Sequence, residues 1–311
     1  MTLVPLSTAC TPRADVLAGG LTDNHFAAQL DKVVRNPEEY AVYGDAEQFF
    51  AITYPTSGLR KLLIKTFGRV TGAKGVAGEN GVLRPTTSFG GGKTHNLTAV
   101  YHLAKGARPS GLEEFLDASV LPDGPVQVAA LVGDALDPAA GVNTNGHRSL
   151  TLWGEMAAQL GDDAFAAMKV NDDARSAPGT RTILEALGHR PTIVIIDEIA
   201  QYLRQVTSSG DEDVRRTALA IPVFLKNLFE VAADPSNKVS VIVTLAARTN
   251  AFGDETDEMT EMLDEAAGAS AAAVTEVKDV LARTVQPSAV IRPADDSEIG
   301  EILKRRLFGL S

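Results

Sequence analysis

The sequence predicts an α/β fold, a doubly wound and mostly parallel sheet with helices on both faces, preceded by a mainly helical region. Three observations predict it. First, "VQVAALV" (126–132), "TIVIIDE" (192–198) and "VSVIVTLA" (239–246) are apolar, β-branched runs without polar alternation, as strands buried on both faces require. Second, helical stretches at 149–168, 180–187, 198–206, 213–232 and 274–284 separate these runs, and strands joined by helical crossovers lie parallel. Third, the alternation of strand and helix begins only at residue 82. The division expected is therefore a helical region over 1–81, packed on an α/β domain over 82–311.

The elements follow in order. Asp23 is placed to cap a helix in "NHFAAQLDKVV", within a helical stretch at 13–34. "RNPEEYAVYGD" reads as turns, and Leu59, Leu62, Leu63 and Phe67 then recur at helical spacing. "TGAKGVAGENG" has loop composition. "GVLRPTTS" (81–88) is a short strand running into glycines. "THNLTAVYHLAKG" is a helix with Leu97, Val100, Tyr101 and Ala104 on one face. "SAVIR" (288–292) is a last short strand, and "SEIGEILKRRLFGLS" a helix after it. The helical lid that often follows such a sheet is not read here, so the sequence reads as a fragment of a longer protein.

Composition sets the outer limits. The chain has 311 residues, 44% hydrophobic and 22% charged, an ordinary globular balance that fills a sizeable core. No apolar run approaches the ~20 residues of a membrane helix, and the N-terminus lacks the basic start and apolar centre of a signal peptide. Cys10 is the only cysteine, which excludes an internal disulfide. A cytoplasmic location is the default reading. The formal net charge of −11 argues against a broad basic face wrapped on nucleic acid.

The chemistry starts at "TSFGGGKTH" (87–95). A phosphate-binding loop presents backbone N–H groups to phosphates at the positive end of the following helix, and glycines let backbone approach without a Cβ in the way. Gly90, Gly91 and Gly92 supply the tight end, following Thr87, Ser88 and Phe89. Lys93 would reach the β- and γ-phosphates, and the Thr94 hydroxyl would ligate Mg²⁺. The usual pattern asks for glycine at 87; Thr87 restricts the first bend but leaves the phosphate-facing donors available. The competing reading is a plain glycine turn between strand and helix.

"TIVIIDE" decides between them. Four apolar residues ending in Asp197-Glu198 form a Walker B strand, in which Asp197 holds the Mg²⁺ shell and Glu198 polarises the attacking water. An acidic pair that merely complements a helix dipole would not call for a phosphate loop in the same sheet.

Other candidates carry weaker signals. Thr244, at the end of "VSVIVT", is the first choice for contact with the γ-phosphate or attacking water, with Asn250 second; threonine in a strand is also common on propensity alone. Arg283, before the last strand, stands where a ring ATPase places an arginine finger, with Arg292 behind it; the plain alternative is a cation favoured at a helix C-terminus. Lys304, Arg305 and Arg306 read as a solvated face, with nucleic-acid contact as the sharper option. His95 either packs under the loop or touches the γ-phosphate, packing being preferred. His25, His102, His147 and His189 show no metal-ligand spacing, and Trp153 and "FFAITY" read as core. "DETDEMTEMLDE" holds seven carboxylates in twelve residues, with Met259, Met262, Leu263 and Ala266 on one helical face: a surface helix, or a docking segment for a basic partner.

Taken together, these motifs resemble the prokaryotic P-loop ATPase family known as domain of unknown function 499, which includes ATPases of phage-exclusion and phage-growth-limitation systems. "LTDNHFAAQLDKVV", "EQFFAITYPTSGLRKLL", "TSFGGGKTHNLTAVYHLA", "LTLWGEMAAQLG", "TIVIIDEIAQYLRQV" and "EILKRRLF" look like its blocks, in order. The resemblance implies that Thr87 is a variant of the loop, that His95 belongs to its motif, and that Lys93, Thr94, Asp197 and Glu198 are the ATP and Mg²⁺ residues. It further implies an AAA+-like fold, homo-oligomers, other defence-system subunits as partners, and DNA reached indirectly or through regions absent from this chain. The function expected is an ATP-hydrolysing motor or remodelling module. A nucleotide-dependent assembly switch with little turnover is the alternative, and a scaffold with an empty loop is disfavoured by two intact motifs.

Overall fold

The computed structural model describes residues 11–17, 28–73, 81–86, 92–245 and 269–309. Five strands form the central sheet: β1 (Val82–Pro85), β2 (Gln127–Val132), β3 (Thr192–Asp197), β4 (Val239–Val243) and β5 (Val290–Ile291). Every neighbouring pair is parallel and the order is β2-β3-β4-β1-β5. The strand that precedes the glycines is thus separated from the strand that ends in Asp197 by β4.

Side-chain alternation divides the core into two layers. Ala129, Leu131, Val194, Ile196, Val241 and Val243 face one layer, with Trp153, Leu203 and Phe224. Val128, Ala130, Ile193, Ile195 and Ile242 face the other, with Phe49, Phe50, Leu63, Phe67, Leu97 and Leu103. Both faces of the apolar strands are therefore covered, as their composition requires.

The second layer is built largely from the N-terminal region: α1 (Leu30–Arg35), α2 (Ala46–Ile52) and α3 (Ser57–Thr71). Asp45 caps α2 through the Gln48 N–H, and Thr56 caps α3 through that of Leu59. Arg69 of α3, itself buried, donates to the carbonyls of Ala232 and Val239, which anchors this layer to the base of β4. Helix α4 (Lys93–Ala104) lies in the same layer, and its buried residues go nearly all round it, Asn96 to Val100 and His102 to Ala104. Tyr101 is only half-buried.

The opposite layer holds α5 (Leu152–Leu160), α6 (Asp162–Asp173), α7 (Thr180–Ala186), α8 (Ile199–Thr207), α9 (Glu212–Ala233) and α10 (Ala269–Thr284). The helix expected over 149–168 is two helices, because Gly161 sits at φ 117° between them, outside helical geometry. A hairpin, Val142–Thr144 with His147–Ser149, was not anticipated. Its turn is Asn145-Gly146, both at positive φ, the pairing that two-residue hairpin turns favour. Finally α11 (Ile299–Leu307) follows β5, and Phe308–Gly309 pairs antiparallel with Thr11–Pro12. Asp23 and the acidic run at 254–265 lie outside the described residues. Among the described residues no helix is long and apolar enough to cross a membrane.

Candidate functional site

Helix α4, after β1, enters one layer, whereas α8, after β3, enters the other. Crossovers that part to opposite faces open a crevice at the carboxyl ends of the strands, where open α/β sheets bind ligands. The carboxyl ends of β1, β3 and β4 carry Thr94, Asp197 and Thr244 to one point.

The Thr94 Oγ1 donates to Asp197 Oδ2 at 3.0 Å, and Thr244 Oγ1 donates to Asp197 Oδ1. The Glu198 N–H donates in turn to Thr244 Oγ1 at 3.0 Å. Both Asp197 oxygens are thus engaged by hydroxyls, and the Thr244 oxygen is shared between the carboxylate and the turn after it. Asp197 is 1% exposed. Burial pushes its carboxyl up from the usual range, opposed by the Thr244 and Thr94 hydroxyls and the Lys93 charge, while the nearby Asp134 pushes the same way as burial. The buried Asp197 carboxylate and the Thr94 hydroxyl are hard oxygen donors of the kind a small divalent cation takes.

Glu198 stands at φ 59°, ψ 41°, the left-handed region that non-glycine residues rarely occupy, and opens α8. The turn is held on two sides, by the end of β4 and by the tip of β2. Ile199 and Ala200 donate their N–H groups to the carbonyls of Thr244 and Leu245 at 3.3 and 2.9 Å, and Thr244 N–H donates to Ile196 O at 2.9 Å. At the tip of β2, Gly133 N–H donates to Asp197 O at 2.8 Å. A Cβ at Gly133 would lie 2.1 Å from the Glu198 carbonyl oxygen, so only glycine lets β2 approach. Gly133 carried no recognisable signal in sequence; "VGD" after an apolar strand was its only trace.

Gly92, at φ 89°, caps α4, and Lys93 and Thr94 are its first residues. Thr87, Ser88, Phe89, Gly90 and Gly91 lie outside the described residues, as does Asn250. His95 packs under the helix start. Its ring lies 4.6 Å from that of Phe49 and edge-on to Tyr43, and its Nε2 is 2.9 Å from Thr53 Oγ1. Burial, with a smaller contribution from Arg306, pulls its pKa down to about 4, so the ring is neutral near pH 7. His102 is likewise buried, donates from Nε2 to Tyr43 O at 2.7 Å, and is lowered chiefly by burial.

The arginines fall into different settings. Arg283 is exposed on the last turn of α10 and pairs with Asp279 at 3.3 Å; among the described residues no hydrogen bond joins it to Thr94 or Asp197. Arg292 is exposed just past β5. The solvated face expected for "LKRRLF" holds for Lys304, which pairs with Glu301, but fails for Arg305. Arg305 is tucked in with its side chain 14% exposed, bonding Glu114 and the Ala51 carbonyl and lying over the Phe115 ring. Fixing α11 to the N-terminal layer is what this cation does. Among the described residues no three His, Cys, Asp or Glu side chains form a metal cluster. His147 bonds Asp162 at 2.8 Å and stacks on Phe165, and Trp153, Phe49 and Phe50 are core.

Fold and site define an α/β protein with a parallel central sheet, the build shared by Rossmann and P-loop-like folds, whose switch point joins a glycine-capped Lys-Thr helix start to a buried Asp197 and the turn after it. Within that class the chain belongs to the DUF499 family: the DUF499 N-terminal domain matches residues 10–280. That span takes in every block quoted above except "EILKRRLF". Comparison with curated proteins and with solved structures gave no match.

Proposed function

We propose that this chain is a P-loop ATPase module of AAA+-like type, which binds ATP with Mg²⁺ and hydrolyses it. The observation that carries the reading is the 3.0 Å hydrogen bond between Thr94, the second residue of the glycine-capped helix, and the buried Asp197. It brings the two sequence motifs within reach of one metal ion. The position of β4 between β1 and β3 supports the AAA+-like type, since it is the extra strand such ATPases carry.

In this reading the α4 N-terminus and Lys93 bind the phosphates, and Thr94 and Asp197 hold Mg²⁺. When bound, the metal would neutralise charge developing on the phosphoryl oxygens. Glu198, in the left-handed turn that opens α8, takes the proton of the attacking water. Thr244 supports both acids from behind rather than meeting phosphate, because its hydroxyl is already committed on two sides. Arg283, exposed on α10, stays available to reach a neighbouring subunit's nucleotide in a homo-oligomer. The biological setting that fits the family resemblance is a cytoplasmic, multi-component bacterial anti-phage defence system. There the module would drive remodelling of other subunits or of DNA reached through them.

The test is calorimetric titration of Mg·ATP and Mg·ADP into the wild type, Lys93→Ala and Glu198→Gln, alongside phosphate-release assays. Lys93→Ala should lose binding. Glu198→Gln should bind ATP as tightly as the wild type while turnover falls by about 10²–10⁴-fold. Equal binding by wild type and Lys93→Ala would end the reading.

A further inference from the structure

The motif residue that the mechanism leaves without a role is His95, and the first turn of α4 shows what it does. Three consecutive side chains there leave the helix in three directions, as residues about 100° apart must. Thr94 reaches the sheet at Asp197, at 3.0 Å. His95 reaches the N-terminal layer at Thr53, at 2.9 Å. Asn96 reaches the segment after β5, donating from Nδ2 to the Pro293 carbonyl at 3.3 Å, an oxygen that also accepts from Thr56 Oγ1 at 2.6 Å.

The His95 bond has a defined direction. Thr53 Oγ1 donates its single proton to the Phe49 carbonyl at 2.6 Å, so towards His95 it can only accept. The proton between them sits on Nε2 of His95. Thr53 is 2% exposed and follows α2, while Phe49 of that helix lies against the imidazole face. The bond is therefore shielded and its acceptor is held on both sides.

We propose that His95 is a positioning residue: as the Nε2–H tautomer it fastens the first turn of α4 to Thr53, and so holds the adjacent Thr94 hydroxyl against Asp197. An ordinary core histidine could be replaced by any ring or aliphatic side chain that fills the space. A positioning histidine demands a donor at the Nε2 position. The consequence is that the N-terminal helical layer forms part of the support of the nucleotide site. For its effect on metal and nucleotide the inference rests on the function proposed above; for the effect on the helix start it does not.

The experiment compares wild type, His95→Leu, His95→Gln and Thr53→Val by three readouts. Nitrogen-15 NMR of the wild-type imidazole should show the Nε2–H tautomer; the Nδ1–H form would overturn the proposal. Hydrogen exchange at the Asn96 amide, which bonds Gly92 O at 2.9 Å, should speed up about tenfold in His95→Leu and Thr53→Val and recover in His95→Gln, whose amide N–H replaces Nε2–H. Wild-type exchange in the leucine variant, or no recovery with glutamine, would overturn the proposal even if the protein binds no nucleotide. Titration of ADP with and without Mg²⁺ should show the Mg²⁺ enhancement cut at least fivefold in His95→Leu and restored in His95→Gln, with Mg²⁺-free affinity changed less than threefold. An unchanged enhancement in His95→Leu would refute the link to Thr94. Absence of ADP binding by the wild type, with exchange behaving as expected, would fell the nucleotide reading and leave the fastening role standing. Thr53→Val keeps the test open should His95→Leu fail to fold.

Discussion

Replacing Thr244 by valine keeps the branched shape of the side chain and removes only its hydroxyl. That hydroxyl is fully buried, donates to Asp197 and accepts from the Glu198 N–H at 3.0 Å. The substitution therefore strips one donor from a buried carboxylate and orphans one buried-side N–H in a left-handed turn. A hydrogen bond to a charged group is worth about 1.5–3 kcal/mol, and an orphaned polar group costs about 1–3 kcal/mol. The added methyl burial returns up to about 1 kcal/mol, so a net loss near 3 kcal/mol is expected. At about 2.1 cal/mol/K of unfolding entropy per residue, that corresponds to a fall of about 5 °C in Tm. Urea denaturation followed by tryptophan fluorescence reads the stability, since Trp153 is fully buried. Thr244→Ser, which keeps the oxygen, should recover most of the loss. A valine variant within about 0.5 kcal/mol of wild type, or a serine variant as unstable as valine, would refute the bridging role assigned to this hydroxyl.

Two further outcomes follow from the same geometry. Gly133→Ala puts a Cβ 2.1 Å from Glu198 O and 3.2 Å from Tyr202 N; both obstacles are backbone, so β2 must part from the β3–α8 turn, at a cost of about 3 kcal/mol or more in denaturant unfolding. Alanine at wild-type stability would mean that the two strand tips are not in contact. The pH dependence concerns His102, whose pKa burial holds below its ordinary 6.5. A group with a depressed folded pKa contributes stability that is present above the unfolded value and lost as pH falls through the folded one. Stability should therefore decline below about pH 6.5, and His102→Gln, which can keep the bond to Tyr43 O, should lessen that decline, the share of the buried His95 remaining. Identical profiles for the two proteins would show that His102 is not buried neutral.

The sheet strands were legible because burial on both faces leaves a purely local mark: the middle of "TIVIID", Ile193 to Ile196, is four consecutive apolar residues with no polar alternation. Lys93, Thr94, Asp197 and Glu198 stood out for a related reason: the first two open a helix straight after three glycines, and the other two follow an apolar strand core, each a pattern of a few adjacent positions. The hairpin at 142–149 was missed despite its Asn-Gly turn, because strands of three residues are too short to show alternation, and a helix boundary was drawn through its end.

The sequence by itself determined the layered α/β build, the two motifs and the family. Only the tertiary structure decided the strand order, and with it the partners of each side chain. Thr244 meets Asp197 because β4 lies beside β3, a register that joins positions 47 residues apart. His95 meets Thr53 because the N-terminal layer covers the same sheet face as α4. Gly133 must be glycine because another strand's turn lies 2.1 Å from its missing Cβ. Burial and helix starts are written in windows of a few residues. Hydrogen-bond partners tens to hundreds of residues apart are fixed by how the strands are ordered, and no local window contains that order.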